Sequence, residues 1–384
     1  MKDFRAKRIL SMPTSIFATM AELTFKYNAV NLGQGFPDFA GPEIIKNSAW
    51  QAIKNDKNQY APSDGILSLR KLISEIDQKQ YDFKWDPISE ITITAGATEG
   101  LFDTIHAFIE KGDEVIIFEP FYDAYYADVI LAGGIPKYVT LKKPDFSFDK
   151  EELKSQINVN TKMIIINTPH NPTGKVFALE ELEYIAKLAI ENNLLVLSDE
   201  AYEYLTFDGV KHIPIATLPN MKHRTITISS TGKTFGMTGW KVGYVCASEH
   251  LTQAIRKVHQ WTTFCVNTPG QHAMAEGFNQ FESYLPEFQK LYQSKKDLAV
   301  KLLKETPFEV YEPLGSYFLM IGIPEGMFLN DVDAATRLIT KNKVTTIPPS
   351  CFYKKSEEGS TMLRICFAKQ DETLIEGIKR LQIG

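Results

Sequence analysis

Short apolar runs rich in β-branched residues alternate with amphipathic segments through the first 280 residues of the chain. These runs predict buried strands over residues 91–94, 114–118, 162–167, 194–198, 225–229 and 242–246. Between them, segments such as 66–79 carry apolar residues at the i, i+3, i+4, i+7 spacing of a helix. Buried strands separated by helices are typical of a mostly parallel sheet covered on both faces, so we expect an α/β fold.

A different pattern begins near residue 280. Residues 282–305 predict one long helix, and shorter strand and helix patterns follow it near 308–323, 331–342, 361–368 and 371–381. These segments indicate a second, smaller α+β domain. We predict three regions: an N-terminal segment joining the small domain (1–44), a large domain (45–280) and a small C-terminal α+β domain (281–384).

The composition excludes several classes of protein. Hydrophobic residues make up 44% of the chain and charged residues 23%, which excludes a disordered tail, a collagen-like fibre and a coiled-coil rod. The 42 basic and 47 acidic residues give a net charge of −5, so the basic surplus typical of a nucleic-acid binder is missing. No apolar run approaches the length of about 18 residues that a membrane-spanning helix needs.

The cysteines indicate the compartment. Four cysteines are too few for a disulfide scaffold, and none has the Cys-x-x-Cys spacing of a zinc ribbon, so we expect no metal site. The apolar stretch 16–21 follows Pro13 and Thr14 and precedes Glu22, which favours an ordered segment over a signal peptide. We therefore expect a soluble cytoplasmic protein.

Polar residues follow each predicted strand of the large domain. In an open parallel sheet, ligands bind beyond the carboxyl ends of the strands. The segments in that position are 96–98, 119–122, 168–175, 198–202 and 230–236. They bring amides, hydroxyls, a carboxylate and an amine to one edge of the sheet.

Two Gly-Lys pairs, Gly174-Lys175 and Gly232-Lys233, raise the question of a nucleotide phosphate loop. That loop needs another glycine five positions before the Gly of the pair. Pro169 and Thr227 occupy those positions, which disfavours an ordinary NTPase. A Gly-x-Gly-x-x-Gly motif after the first strand is also missing, which disfavours a dinucleotide-binding domain.

Lys233 follows a buried strand and stands beside Ser230 among glycines. A lysine that forms a Schiff base must be partly desolvated so that its neutral amine is available. By position alone, Lys233 is equally compatible with such a role and with an ordinary surface lysine.

The neighbouring residues fit one cofactor, a pyridoxal ring with its phosphate. Asp199 can supply the anion that a pyridinium nitrogen needs, although an aspartate after a strand is also a common helix N-cap. Amides at Gly96-Ala97-Thr98, which precede a helix, suit a phosphate, and Ser230 and Lys241 can add a hydroxyl and a charge. Tyr122 can stack on the ring or simply pack in the core.

Arg364 lies inside an otherwise apolar strand, Leu363-Arg364-Ile365-Cys366-Phe367. A buried guanidinium needs an anionic partner. That partner is either a substrate carboxylate, gripped by two parallel hydrogen bonds, or an internal carboxylate in a salt bridge.

Together these segments resemble a known family. Asn171-Pro172-Thr173-Gly174, residues 198–202 and residues 230–241 are similar to motifs of class I/II pyridoxal-phosphate aminotransferases of fold type I. Residues 31–39 and 118–123 resemble the branch that holds kynurenine aminotransferases (glutamine transaminase K) and bacterial methionine aminotransferases. Residues 12–17 and 237–244 favour the methionine enzymes within that branch.

The resemblance implies roles for individual residues. Lys233 would bond to pyridoxal 5′-phosphate and later move a proton between the substrate α-carbon and the cofactor, and Asp199 would pair with the pyridine nitrogen. The residues implied to hold the cofactor's phenolic oxygen, ring face or phosphate are Asn171, Tyr202, Tyr122, Ala97, Thr98, Ser230 and Lys241. Tyr60 would reach the phosphate of a neighbouring subunit, which implies a homodimer.

For the substrate, the resemblance implies that Arg364, Asn171 and the backbone of Gly35 hold the α-carboxylate. Phe17, Phe264 and Tyr122 indicate an aromatic pocket for methionine, aromatic or other large neutral side chains. Kynurenine-type relatives often carry His at the position of Cys265 and Tyr at that of Thr98, which disfavours kynurenine.

The expected activity is a ping-pong transfer of an amino group from such an amino acid to a 2-oxo acid. Two alternatives use the same lysine and cofactor: a kynurenine or glutamine aminotransferase, and a carbon–sulfur β-lyase. A regulator that binds the cofactor without turnover would carry an N-terminal DNA-binding domain. The enzyme-like motif already starts near Met12, so this reading is disfavoured.

Overall fold

The computed structural model describes residues 3–10, 12 and 15–382. Pro13 and Thr14, part of the motif at residues 12–17, lie outside the described residues. The strands in chain order are β1 (Val30–Asn31), β2 (Ile91–Thr94), β3 (Glu114–Glu119), β4 (Ile135–Lys142), β5 (Ser147–Phe148), β6 (Thr161–Asn167), β7 (Leu195–Asp199), β8 (Thr225–Ser230), β9 (Gly243–Ala247), β10 (Glu309–Tyr311), β11 (Phe318–Gly322), β12 (Val344–Thr345) and β13 (Met362–Cys366).

The helices surround these strands and reach both ends of the described chain. They are α1 (Lys7–Leu10), α2 (Ile16–Tyr27), α3 (Glu43–Lys54), α4 (Leu67–Tyr81), α5 (Gly96–Phe108), α6 (Asp123–Ala132), α7 (Lys150–Ser155), α8 (Leu179–Glu191), α9 (Thr231–Thr234), α10 (Glu249–Thr262), α11 (Thr268–Asn279), α12 (Phe281–Leu303), α13 (Asp331–Arg337) and α14 (Asp371–Lys379).

The large sheet has the order β2-β9-β8-β7-β6-β3-β4-β5. The central strands β8, β7, β6, β3 and β4 pair in parallel, which confirms the predicted mostly parallel α/β sheet. Strand β9 runs antiparallel to both of its neighbours, and β5 runs antiparallel to β4. Strand β2 therefore points in the same direction as the parallel strands, and its carboxyl end lies at the same edge.

Both faces of the large sheet are covered, as the apolar strands require. On one face, apolar residues of α5, α6 and α10 pack against β3, β8 and β9. On the other face, α8 packs against β3, β6 and β7. Strand β3 is buried along its whole length, which explains why residues 115–118 form an apolar run without alternation.

Two helices differ from the sequence prediction. The sequence of residues 100–110 predicts a helix that begins at residue 100. The helix begins at Gly96 instead, because the Glu99 side chain accepts a hydrogen bond from the Ala95 amide and closes the first turn. The helix predicted over 331–342 ends as an α-helix at Arg337 and continues as a π-helical turn, Leu338–Asn342.

The C-terminal region contains the antiparallel sheet β10-β11-β13, flanked by α12, α13 and α14. Strand β1 pairs in parallel with β12, so the N-terminal segment is attached to this region. The predicted boundaries at residues 44 and 280 remain predictions. Among the described helices, none combines the length and the apolar character needed to cross a membrane.

Gly243 begins β9 where the strand passes the start of α5. A methyl group at this position would lie 2.6 Å from the carbonyl carbon of Gly96 and 2.7 Å from the Ala97 nitrogen. We expect Gly243→Ala to lower the free energy of unfolding by about 1–3 kcal/mol, because backbone atoms must move to admit the methyl. Urea unfolding followed by tryptophan fluorescence measures this change.

Gly239→Ala is the matched control, since a methyl there would meet no atom of the described residues within 4 Å. The control should unfold at or slightly above the wild-type urea concentration. Equal midpoints for the two variants would contradict the packing argument.

Candidate active site

A cavity of about 260 Å³ opens at the carboxyl edge of the large sheet. It brings together most of the predicted site residues, which come from both ends of the chain. Those that line it are Phe17, Gly35, Ala97, Thr98, Tyr122, Asn171, Asp199, Tyr202, Ser230, Lys233, Lys241 and Arg364.

Lys233 lies in the short helix α9, directly after β8. Its Nζ donates a hydrogen bond to the Tyr317 hydroxyl at 2.8 Å and lies 3.4 Å from the Gly35 carbonyl oxygen. The Tyr317 hydroxyl in turn donates to the same carbonyl at 2.7 Å. Burial of the amine lowers the pKa of Lys233 from 10.5 to about 8, so a neutral amine is available near neutral pH.

Asp199 is the last residue of β7 and is 5% exposed. Its Oδ2 accepts a hydrogen bond from the Tyr125 hydroxyl at 2.6 Å, and its Oδ1 accepts one from the Ala201 amide at 3.1 Å. Burial raises the pKa of Asp199, although both hydrogen bonds oppose the rise. The carboxylate accepts a hydrogen bond within a turn and does not cap a helix. It lines the cavity as a buried acid whose charge a bound cation can neutralise.

Asn171 and Tyr202 lie beside this carboxylate. The backbone amide of Asn171 donates a hydrogen bond to Asn167 Oδ1 at 2.8 Å. The Asn167 Nδ2 donates one to the backbone carbonyl of Asp199 at 2.9 Å. The Tyr202 ring packs edge-on against the Tyr317 ring at 5.0 Å. Burial raises the pKa of Tyr202, so its hydroxyl remains protonated and can donate into the cavity.

The start of α5 forms an anion cradle. Gly96 has a φ of +76°, and the following amides, of Ala97 and Thr98, belong to the first turn of a 13-residue helix. Such amides have no partner within the helix and carry its positive dipole end, so they favour an anion. Lys241 Nζ lies 3.4 Å from Thr98 Oγ1, and Ser230 lines the same part of the cavity.

Arg364 is 1% exposed, and its guanidinium reaches the cavity from β13. Its Nη2 donates to the Gly33 carbonyl at 2.7 Å, and its Nη1 donates to Asn171 Oδ1 at 3.0 Å. Its Nε has no partner in the described part of the chain, and no carboxylate there forms an ion pair with it. The internal salt bridge that the sequence left open is therefore not found, and the guanidinium remains available to an anion.

Aromatic rings surround the Arg364 guanidinium. The rings of Phe318, Phe17 and Phe352 lie 4.2, 5.0 and 5.6 Å from it. Phe17 was predicted from the sequence, whereas Phe318 and Phe352 were not.

Two predicted residues do not line the cavity. Tyr60 is 81% exposed, and its ring meets the Phe264 ring edge-on at 5.3 Å on the outer surface. Phe264 is 38% exposed. The single chain therefore places both residues outside its own cavity.

The sequence prediction also omitted three residues that form hydrogen bonds with the site residues. Asn167 is the last residue of β6, and this position at a strand end is a signal by which it could have been identified. Tyr125 lies one turn after Tyr122 on α6, so helical spacing could have found it. Tyr317 carried no usable signal, because it lies 84 residues from Lys233, in the loop before β11.

Residues 27–381 match the profile of the family described as aminotransferase class I and II. The chain belongs to this family. It is 38% identical to the kynurenine–oxoglutarate transaminase of Dictyostelium discoideum, over 96% of this chain and 94% of that protein. It is 37% identical to the methionine aminotransferase of Escherichia coli K12, over 98% of this chain and 97% of that protein.

The solved structures agree with the sequence relatives. A crystal structure of an Escherichia coli protein described as having a methionine aminotransferase function superposes with a TM-score of 0.95 at 36% identity. The match covers 99% of this chain and 100% of that one. The aminotransferase thus has fold type I, acts on amino acids and 2-oxo acids, and uses pyridoxal 5′-phosphate.

The cavity suits this cofactor by its own chemistry. It offers a desolvated amine (Lys233), a buried carboxylate (Asp199) and a helix N-terminus that favours an anion, and a pyridoxal phosphate needs one of each. The guanidinium of Arg364 supplies a further anion site. The residues present therefore fit the cofactor together with a carboxylate substrate.

The lowered pKa of Lys233 has a measurable consequence in the cofactor-free protein. We expect labelling of Lys233 by trinitrobenzenesulfonate to reach half its maximal rate near pH 8, because only the neutral amine reacts. Peptide mass spectrometry can follow each lysine separately, and exposed lysines should react half-maximally near pH 10.4. A Lys233 profile that superposes on theirs would refute the desolvation argument.

Proposed function

We propose that this aminotransferase takes the amino group of methionine or another large neutral or aromatic amino acid and passes it to a 2-oxo acid. The charge of the cavity carries this proposal. Among the described lining residues, the cations are Lys233, Lys241 and Arg364. The first two are assigned to the cofactor, which leaves one cation for the α-carboxylate and none for a side-chain carboxylate. Aspartate and glutamate are therefore poor substrates.

We assign the substrate α-carboxylate to Arg364, with Asn171 and the Gly35 backbone beside it. The guanidinium is held by Gly33 and Asn171, and its planar fork suits two parallel hydrogen bonds to a carboxylate. The surrounding phenylalanine rings exclude water from this ion pair. The same rings form an apolar wall for the side chain, with Phe17 on the N-terminal segment.

We assign the proton transfer to Lys233. When bound, pyridoxal phosphate would supply the electron sink that stabilises the negative charge left on the α-carbon when the α-proton is removed. The free amine of Lys233 accepts that proton at Nζ, which its lowered pKa permits near neutral pH. The Tyr317 hydroxyl donates to Gly35, so it presents lone pairs to Lys233 and orients the amine.

We assign the pyridine nitrogen to Asp199, whose orientation is set by the Tyr125 hydroxyl. An anion at this place favours the protonated ring nitrogen. Asn171 and Tyr202 would bond the phenolic oxygen, and Tyr122 would lie on the ring face. Ala97, Thr98, Ser230 and Lys241 would hold the phosphate.

We further propose a homodimer in which Tyr60 and Phe264 complete the neighbouring active site. Their exposure supports this assignment, because both rings lie on the surface of the single chain. Trp261, on the last turn of α10 just before Phe264, is 88% exposed and would be covered in the same way. A cytoplasmic location is consistent with the four free cysteines.

Absorbance spectra of the purified protein, before and after methionine without an oxo acid, test the activity. We expect the visible band of the lysine-bound cofactor to give way to the band of the aminated cofactor, with release of the 2-oxo acid. Aspartate should change the spectrum little. Lys233→Ala should retain cofactor but lose about 10²–10⁴-fold or more in rate. Substantial transamination by that variant would overturn the assignment.

The alternatives give different outcomes in the same experiment. With a cysteine S-conjugate in place of methionine, a persistent lysine-bound band with formation of pyruvate, ammonia and a thiol would favour the β-lyase. Rapid conversion by kynurenine and slow conversion by methionine would favour the kynurenine aminotransferase.

The grip of Arg364 can be tested separately from the chemistry. We expect Arg364→Lys to lower kcat/KM by about 10- to 100-fold, mainly through KM, because lysine cannot form two parallel hydrogen bonds to a carboxylate. Steady-state kinetics with methionine measure this change. As a control for an intact site, the variant should show the same spectrum of bound cofactor as the wild-type protein. An unchanged KM would contradict the assignment.

A further inference from the structure

A charged cluster is buried beneath the anion cradle, outside the cavity. His259 on α10 faces Glu99 and Asp103, which lie one turn apart on α5. The Nδ1 of His259 lies 3.0 Å from Glu99 Oε1 and 3.5 Å from Asp103 Oδ2. His259 and Asp103 are fully buried, and Glu99 is nearly so.

The hydrogen-bond geometry determines the charge of His259. Its Nε2 lies 2.8 Å from the Ser63 carbonyl oxygen, which can only accept, so Nε2 carries a hydrogen. Its Nδ1 faces carboxylate oxygens. An ionised carboxylate can only accept hydrogen bonds, so Nδ1 must carry a hydrogen as well. Glu99 is kept ionised by hydrogen bonds from the Ala95 amide, Thr263 and His259, which together lower its pKa against the effect of burial.

The pKa values agree with this geometry. Burial lowers the pKa of His259, but the bonds to Asp103 and Glu99 outweigh it and raise the pKa from 6.5 to about 10. Burial raises the pKa of Asp103 and the contact with His259 opposes that rise, so the nearby imidazolium is the charge that compensates this buried carboxylate.

The cluster joins three segments that the proposed function uses. Glu99 accepts from the Ala95 amide, directly before the Gly96 that opens the cradle. Nε2 of His259 holds the Ser63 carbonyl, three residues after Tyr60. The backbone carbonyl of His259 accepts from the Phe264 amide at 3.0 Å. His259 thus ties the cradle to the segment that follows Tyr60 through its side chain, and to Phe264 through its backbone.

We propose that the buried imidazolium of His259, held between Glu99 and Asp103, is a positioning residue for the anion cradle at the start of α5 and for the segment 60–65. The cluster touches neither cofactor nor substrate and acts through the backbone it holds. Its link to cofactor binding rests on the proposed phosphate-binding role of Ala97 and Thr98, whereas its effect on the two segments does not.

Other charged groups near the cluster also contribute to the pH dependence of stability, and their contribution must be distinguished from that of His259. On α6, burial and the nearby Asp103 raise the pKa of the buried Asp128 to about 7. In the segment 60–65, Asp64 is already paired with Arg70 at 3.0 Å and with Arg256 at 3.5 Å. Comparing variants at equal pH cancels the contribution of these groups.

Hydrogen–deuterium exchange of the full-length protein, with and without cofactor, provides the direct test. We expect His259→Gln to speed exchange about tenfold in peptides covering 60–65 and 94–99, because glutamine cannot bond Ser63 and both carboxylates at once. Peptides from α12 should be unchanged. His250→Gln, an exposed histidine on the same helix, is the matched control and should leave all of these peptides at the wild-type rate.

Cofactor affinity and pH dependence provide two further readouts. We expect His259→Gln to raise the dissociation constant for pyridoxal phosphate about tenfold, and His250→Gln to leave it unchanged. The folded pKa of His259 exceeds that of the unfolded chain, so its stabilisation is complete below pH 6.5 and lost as pH rises through about 10. The stability difference between wild type and His259→Gln should therefore shrink over this range.

If His259→Gln does not fold, Glu99→Gln tests the same contact and should speed exchange in both segments. Wild-type exchange in both segments for either variant would overturn the proposal. A stability difference that does not vary with pH would contradict the charged state of His259. The wild-type protein binding one equivalent of a divalent metal that His259→Gln does not bind would contradict it as well. Faster exchange with unchanged cofactor affinity would overturn the assigned phosphate cradle while leaving the positioning role intact.

Discussion

The parallel register of β6, β7 and β8 places the reactive groups of this aminotransferase. Asn167 pairs with Asp199 across β6 and β7, and Asp199 pairs with Ile228 across β7 and β8. Each strand ends within two residues of its neighbour, so the side chains that follow emerge at one level. Lys233 can meet Asp199 and Asn171 in a single cavity because the hydrogen-bond ladder fixes the height at which each loop begins.

Charge separation is the second constraint. Lys233, Asp199 and Arg364 line the same cavity, and in the described residues none of them forms an ion pair with another. Each is held by neutral partners instead, namely the hydroxyls of Tyr317 and Tyr125 and the carbonyl of Gly33. Neutral partners fix the position of a charge without neutralising it, so each group remains available to one part of the cofactor or substrate.

Much of this arrangement could be predicted from the sequence because it depends on local order. Lys233 and Asp199 were found because each follows an apolar strand by a few residues. Contacts between distant segments left no such signal, and Tyr317 reaches Lys233 from 84 positions away. The start of α5 was misplaced because the bond from the Ala95 amide to the Glu99 side chain does not show in a hydrophobic pattern.

The residues that we assign to a neighbouring subunit are a separate case. Tyr60 and Phe264 were identified through the family resemblance alone, and in the single chain they contact each other on its surface. Their positions depend on a segment held from below by His259. Sequence spacing could not show this link, because His259 and Ser63 are 196 residues apart.

The pairing of β1 with β12 joins two segments that are synthesised far apart in time. Arg364 bonds the Gly33 carbonyl across 331 residues of chain, and β13 lies near the C-terminus. During synthesis the amine, the buried acid and the anion cradle emerge from the ribosome well before Arg364. A nascent chain therefore carries the residues that suit a cofactor before it carries the guanidinium that suits a substrate. It acquires the half that suits a substrate only when its two ends meet.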